Sequence, residues 1–339
     1  MTGAAPPHSL AMSEPSPMLF ALDASRAYGE AVARALGVAL SAHEERVFED
    51  GEHKVRSLES VRGRDVYVLH SLYSEPGQSI DDKLVRLLFF VGALGDASAG
   101  RVTAVLPYLA YARKDRKTKA RDPVATRYVA QLLEAVGIDR VVTLDVHNLA
   151  AFQNAFRCRT EHLEAAPLFV AELAPRLRDE HIAVVSPDAG GIKRAEAFRL
   201  RLAAALGRPL ASAFVEKYRS GGTLSGDGIA GEVDGKLAIV VDDLIAAGNT
   251  MARAAKACRH AGATRVIAVA THGVFAAEAD AVLAAAPIDE ILVTDSIPPL
   301  GLATDTVTSR LRIVSVAGLL AEAIRRIHTG GSLAQLQAD

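Results

Sequence analysis

The sequence predicts an α/β protein of two tandem domains, each with a mainly parallel sheet flanked by helices. Three observations lead there. Short aliphatic runs such as Asp65–Leu69, Arg101–Leu106 and Leu237–Val241 suit strands buried on both faces. These runs alternate with stretches bounded by helix caps and glycines. A strand–helix–strand unit also occurs twice. Gly63-Arg64-Asp65 leads into VYVLHSL, a helix and a Gly before RVTAVLPY; Gly235-Lys236-Leu237 leads into AIVVDDL, a helix, Gly262 and TRVIAVAT. At 339 residues the chain is long enough for two buried cores.

Residues 1–17 are rich in Pro, Ser and Ala and lack a basic start before an apolar core, so they read as a disordered tail and not a secretory signal. From Met18 strand and helix alternate. Ser79 and Asp82 make a capping signature for a helix reaching about Leu94. Asp122-Pro123 reads as the cap and first turn of a helix from Val124 to Val136, closed by Gly137. Further strands are expected at Arg140–Leu144, Ile182–Ser186, Leu210–Val215, Val266–Thr271 and Glu290–Thr294. The net charge of −2 gives no global attraction to nucleic acid or membrane, and no stretch resembles a membrane span. Two cysteines, Cys158 and Cys258, lie far apart, so a reducing cytoplasm is the expected compartment.

The most informative stretch is LAIVVDDLIAAGNT. Asp242 and Asp243 end an aliphatic strand, Ala246, Ala247, Gly248 and Asn249 form a small-residue turn, and Thr250 opens a helix that Gly262 closes. Such a turn aims N–H groups and a helix N-terminus at one spot, which suits phosphate. The acids suit ribose hydroxyls or a hydrated cation, so a phosphorylated sugar fits both halves.

Other stretches share this logic. Phe48, Asp50 and Glu52 flank Gly51 in a turn, where an aromatic beside acceptors can hold a purine and a plain hairpin is the alternative. Six Lys or Arg lie between Arg113 and Arg121, and because the run begins at a strand's end, Arg113 and Lys114 are placed for polyphosphate. Asp145 and His147 follow another strand, where His147 reads as a divalent-cation ligand, with a satisfied core histidine as the alternative. Asp188 precedes Gly190-Gly191 and a helix, again an acid before a tight turn.

Together PYLAYARKDRKTKARDPVATRYVAQLLEAVGIDRVVTLDVH, VVSPDAGGIKRAEAF, VVDDLIAAGNTM and RIVSVAGLLAEAIRRIH resemble, in order and spacing, the ribose-phosphate pyrophosphokinases, from about Met18 to His328. The resemblance implies two type I phosphoribosyltransferase-like domains, ATP as co-substrate, Mg2+ as cofactor and ribose 5-phosphate as acceptor. Phe48, Asp50 and Glu52 match the adenine-binding turn, which in the family reaches the ATP of a neighbouring subunit. Arg113, Lys114 and Asp115 match the ATP segment, and His147 and Asp188 the metal site, with Asp188 also on the sugar side. Asp242 and Asp243 match the pair on the ribose hydroxyls, and Ala246 to Thr250 the 5-phosphate loop. Glu216-Lys217-Tyr218-Arg219 with SGGTLSGDG resembles a mobile catalytic loop in which Lys217 and Arg219 act on the transferred group.

The resemblance also implies domains at 18–162 and 163–315, the first completed by a C-terminal helix at 316–328, with a flexible tail at 329–339. A dimer-based homo-oligomer is expected, with a hexamer as one candidate, and neither nucleic acid nor membrane as partner. The chain departs from the family at Ala246 and Ala247, which stand for Asp and Thr, at Asn249 for Gly and at Lys114 for Gln. After His147 it is one residue longer. Alternatives are a non-catalytic regulatory paralogue or a phosphoribosyltransferase.

Overall fold

The computed structural model describes residues 16–220, 223–276 and 278–338, with the side chains of 217–227 and 338 outside the description. The first half runs β1 (Met18–Ala21), α1 (Arg26–Leu36), β2 (His43–Val47), β3 (His53–Ser57), β4 (Asp65–Leu69), α2 (Ile80–Asp96), β5 (Arg101–Leu106), α3 (Ala125–Ala135), β6 (Arg140–Leu144), α4 (Leu149–Ala155) and β7 (Arg159–Leu163). Five strands make one parallel sheet in the order β1-β4-β5-β6-β7, and β2 and β3 form a separate antiparallel hairpin.

The second half runs α5 (Ala166–Leu173), β8 (Ile182–Ser186), α6 (Ile192–Leu206), β9 (Ala211–Ser220), β10 (Thr223–Gly231), β11 (Leu237–Ile245), α7 (Asn249–His260), β12 (Arg265–Gly273), α8 (Ala279–Ala284), β13 (Glu290–Thr294), α9 (Asp305–Thr308), β14 (Leu311–Val314), α10 (Ala317–Thr329) and α11 (Leu333–Ala338). Its seven strands order as β10-β9-β8-β11-β12-β13-β14, parallel except for the β9–β10 pair. The twice-repeated unit is thus β4–α2–β5 in one sheet and β11–α7–β12 in the other, each closing on a parallel pair.

Alternating strand residues face opposite ways and fill separate layers. Phe20, Val66, Val68, Ala104 and Leu106 meet Leu87, Phe90 and Val91 of α2 and Val129 and Leu133 of α3. In the second half, Val240, Ala268 and Val293 meet Met251 and Ala255 of α7 and Leu283 of α8. The remaining faces share one core, in which Leu69 and Val142 of the first sheet lie in the same cluster as Ile239 and Val269 of the second. Leu320, Ile324 and Ile327 of α10 join that core beside Val32 and Ala33 of α1. A polar lock adds to the docking of α10, since Asp65 at the start of β4 accepts from Arg101 Nε at 2.7 Å and lies 2.7 Å from His328 Nδ1. The capping box at Ser79 and Asp82 is present at the start of α2.

Four local expectations differ. The Asp122 carboxylate does not cap α3, which starts at Ala125 without a side-chain cap; it gathers Lys114 Nζ at 2.7 Å and the Thr118 and Lys119 N–H groups at 3.0 and 2.9 Å. Those donors sit in its own turn and take its oxygens first. Helix α7 opens one residue before Thr250, at Asn249, after Gly248 at φ 82°, a left-handed conformation that glycine adopts without strain. Strand β11 runs on past Val241 to Ile245 because β12 continues to pair with it, Leu244 opposite His272 and Ile245 opposite Gly273. Asp242 and Asp243 therefore lie inside a strand. Of the glycine-rich stretch after Lys217, the described part, Thr223–Gly231, pairs with β9 as a strand, with a register shift between Leu224 and Asp227. Glycines are not prohibited in strands; they weaken them.

Candidate active site

The carboxyl ends of β5, β6, β8 and β11 open onto one cleft of about 1100 Å³, the usual ligand position in a parallel α/β sheet. Both halves contribute walls. Arg113 and Asp115 come from the segment after β5, His147 from the turn after β6, Asp188 from the turn after β8, and Asp242 to Thr250 from β11 and the start of α7.

The centre of this cleft is a charge cluster across the two sheets. Asp243, with only 2% of its surface exposed, lies 2.9 Å from His147 Nδ1. The guanidinium of Arg194, on the first turn of α6, reaches Asp242 Oδ1 at 3.1 Å and Asp243 Oδ1 at 3.2 Å. Burial works to raise both carboxyls, but His147 and Arg194 outweigh it at Asp243 and hold that group below the usual carboxylate range. At Asp242 burial is reinforced by the neighbouring Asp243 charge, so its pKa is pushed up. The hydrogen bond to Asp243 in turn raises the His147 pKa against the opposing effect of burial.

Asp188 stands in extended backbone and accepts from the N–H groups of Gly190 at 2.8 Å and Gly191 at 3.1 Å through one oxygen, leaving the other for the cleft. The small-residue turn before α7 lines the same cleft, where the open N–H groups of a helix start favour an anion. Asn148 caps α4 by accepting from Ala151 N at 3.1 Å and donates to Asp115 at 2.7 Å, tying the segment after β5 to the His147 turn.

Among the expected site residues, Arg113, Asp115, His147, Asp188, Asp242, Asp243 and the run Ala246, Ala247, Gly248, Asn249, Thr250 come together here. Lys114 does not line the cleft, because its ammonium is held by Asp122 and Thr118. Phe48, Asp50 and Glu52 are also elsewhere, at the tip of the β2–β3 hairpin; Gly51 there has φ 90°, and Arg46 covers the Phe48 ring at 5.0 Å. The side chains of Lys217 and Arg219 lie outside the described residues, though their backbone belongs to β9. Sequence reasoning passed over Arg194 and Lys193, which line the cleft directly after Gly190-Gly191. Their signal was available, since cations following a small-residue turn at a helix start are themselves placed for a charged ligand.

Comparison with known proteins agrees with the architecture. A family model described as the N-terminal domain of ribose phosphate pyrophosphokinase matches residues 17–137, and one described as the phosphoribosyl synthetase-associated domain matches residues 226–338. A ribose-phosphate pyrophosphokinase of Caldanaerobacter subterraneus subsp. tengcongensis is 39% identical over 306 residues, covering 90% of this chain and 92% of the relative. One from Neisseria meningitidis is 38% identical over 321 residues, covering 94% of each. The crystal structure of phosphoribosylpyrophosphate synthetase from Mycobacterium smegmatis superposes with a TM-score of 0.83 at 38% identity, spanning 94% of this chain and 100% of that one. With sequence and fold shared over nearly the whole length, the chain belongs to the ribose-phosphate pyrophosphokinase family.

Proposed function

We propose that this chain transfers the β,γ-diphosphoryl group of ATP to the C1 hydroxyl of ribose 5-phosphate, releasing AMP and 5-phosphoribosyl 1-diphosphate. The observation that carries the reading is the joining, in one cleft, of a phosphate-binding helix start, a carboxylate pair and a cation-lined segment from the other domain. The turn from Ala246 to Thr250 holds the 5-phosphate through backbone N–H groups and the Thr250 hydroxyl. Asp242 and Asp243 take the ribose hydroxyls, which fixes the sugar by both ends. Arg113 and Asp115 face the nucleotide from across the cleft. Phe48, Asp50 and Glu52 serve a neighbouring subunit's nucleotide within a dimer-based assembly.

His147 and Asp188 fit a divalent cation, for which Mg2+ is the reading. His147 offers its Nε2 while Nδ1 engages Asp243, an arrangement of carboxylate, histidine and metal that orients ligating imidazoles. Asp188 keeps one carboxylate oxygen free, and Mg2+ commonly takes one or two protein ligands with the rest from water and phosphate. When bound, the cation neutralises charge on the phosphate oxygens.

In the reaction the C1 oxygen forms a bond to the β-phosphorus as the bond from that phosphorus to the oxygen of the α-phosphate breaks. AMP leaves in line, and the hydroxyl proton departs. The chain's own part is positioning and positive charge, with Lys217 and Arg219 arriving on the β9–β10 hairpin beside the transferred group. The deciding experiment is incubation with ATP, Mg2+ and ribose 5-phosphate without any added base. AMP and 5-phosphoribosyl 1-diphosphate in equal amounts support the reading. Absence of AMP from a folded, assembled protein refutes it in favour of a non-catalytic role.

A further inference from the structure

The turn that carries His147 is held from the opposite domain by side chains outside the roles above. Asp145, two residues before His147, adopts φ 31°, a positive value uncommon for a residue with a Cβ. Its Oδ2 accepts from the Thr271 hydroxyl at 2.5 Å and from Ala165 N at 2.9 Å. The next residue of β12, His272, has Nε2 at 3.2 Å from the Leu144 carbonyl. A carbonyl only accepts, so Nε2 carries the proton and Nδ1 receives the Ser296 hydroxyl, 2.9 Å away. Ser296 is itself anchored across the domains, its carbonyl accepting from Ser71 Oγ at 2.6 Å. All three β12-side groups are buried, with Thr271 4%, His272 2% and Ser296 1% exposed.

The register explains why this matters for the cleft. Asp242 is paired with Ala270 and Leu244 with His272, so Asp243 and Thr271 are opposite each other on adjacent strands. One rung of the second sheet therefore grips the β6 turn twice, through Thr271 on Asp145 and through Asp243 on His147.

We infer that Thr271 and His272 are positioning residues, which clamp the Leu144–His147 turn of the first domain against β11–β12 of the second so that the His147 imidazole meets Asp243. The inference deepens the reading of His147 as part of the reactive cleft and rests on it only for its kinetic consequence. If Thr271 loses its hydroxyl, the Asp145 carboxylate loses its contact with β12 and keeps the Ala165 N–H, and the turn is free to shift. His147 then moves by a fraction of an ångström to an ångström, a displacement of the kind that costs roughly tenfold to a hundredfold in rate.

The test uses the full chain labelled with 15N-histidine, the His147 ring signals being identified with His147→Gln. Asp243→Asn supplies the signals of an imidazole without its carboxylate. In Thr271→Val the His147 signals are expected to move toward those of Asp243→Asn, with kcat reduced roughly tenfold or more while the KM for ATP changes much less. Thr271→Ser, which restores the hydroxyl, is expected to restore both. Thr271→Ala serves as the second probe if circular dichroism shows that Thr271→Val does not fold. Native His147 signals in a folded variant lacking the hydroxyl overturn the clamp, whatever the activity. Shifted signals with native kcat keep the clamp and instead remove His147 from the proposed reaction.

Discussion

Among single residues, the site is built by pairing charges that would be costly alone. Two adjacent carboxylates of low exposure need compensation, and Arg194 and His147 supply it from different elements. That the acids, the histidine and the glycine turn gather at one cleft was legible because each stands near the carboxyl end of an aliphatic strand. Arg194 was less legible, since its relevance depends on α6 aiming it at a strand some fifty positions away in sequence. The pairing of Lys114 was illegible for the opposite reason: in a dense basic run nothing local says which cation Asp122 holds. The proposed binding of the 5-phosphate by the turn from Ala246 to Thr250 gives the clearest residue-level test. Because Ala246 and Ala247 offer no side-chain donors, the side-chain donors left in this turn are the Asn249 amide and the Thr250 hydroxyl, beside the backbone N–H groups. Thr250→Val is expected to raise the KM for ribose 5-phosphate severalfold and that for ATP far less, read from initial rates with each substrate varied in turn. Equal effects on both would mean the loop serves a different ligand.

Elements divide into those that make the scaffold and those that act on it. Buried strands were legible to within a residue or two, as at Asp65–Leu69 and Glu290–Thr294, because β-branched and aliphatic runs have few other places to go. The extension of β11 through its two acids was not, because pairing with β12 overrides what the polar residues suggest. The backbone of Lys217 lies in β9, and on the proposed role of Lys217 and Arg219 two cations beside the phosphoryl group in transfer would stabilise the transition state more than bound ATP. Lys217→Ala is expected to lower kcat by a factor on the order of hundreds, about 3–4 kcal/mol, with little change in either KM. Near-native kcat would leave Lys217 as a solvated charge. In the scaffold, Asp65 joins β4 to β5 and α10. Burial raises its carboxyl pKa, but Arg101 and His328 outweigh that and the net direction is down. A depressed folded-state pKa stabilises above the unfolded value and is lost as pH falls through the folded one. Asp65→Asn is therefore expected to cost about 1–3 kcal/mol near neutral pH, with the gap to the native protein closing below about pH 4. Chemical unfolding at several pH values checks this, and a gap independent of pH would assign the loss to packing instead.

Across the whole molecule, one chain completes the cleft around Asp188, Asp243 and the turn before α7 and leaves the hairpin apart from it. Val47 and Phe89 are each 57% exposed and Phe48 38%, an apolar surface on the hairpin and the adjoining α2. Covering the apolar surface they still expose is favourable, which favours their contact with another chain. Assembly is the level least legible in the amino-acid order, because an interface is built from residues that look like ordinary surface until the fold gathers them. If the hairpin of one subunit supplies the nucleotide site of its neighbour, a site can be damaged from either side. A Phe48→Ala chain keeps an intact cleft but offers its neighbour a poor hairpin, and an Asp243→Asn chain does the reverse. Each alone is expected to be nearly inactive. When the two are unfolded together at equal amounts and reassembled, about one site in four pairs an intact cleft with an intact hairpin, so about a quarter of native activity should return. Sedimentation must show assembled particles in the same samples. No recovery on mixing, or a fully active monomer, would mean that Phe48 serves its own chain or none.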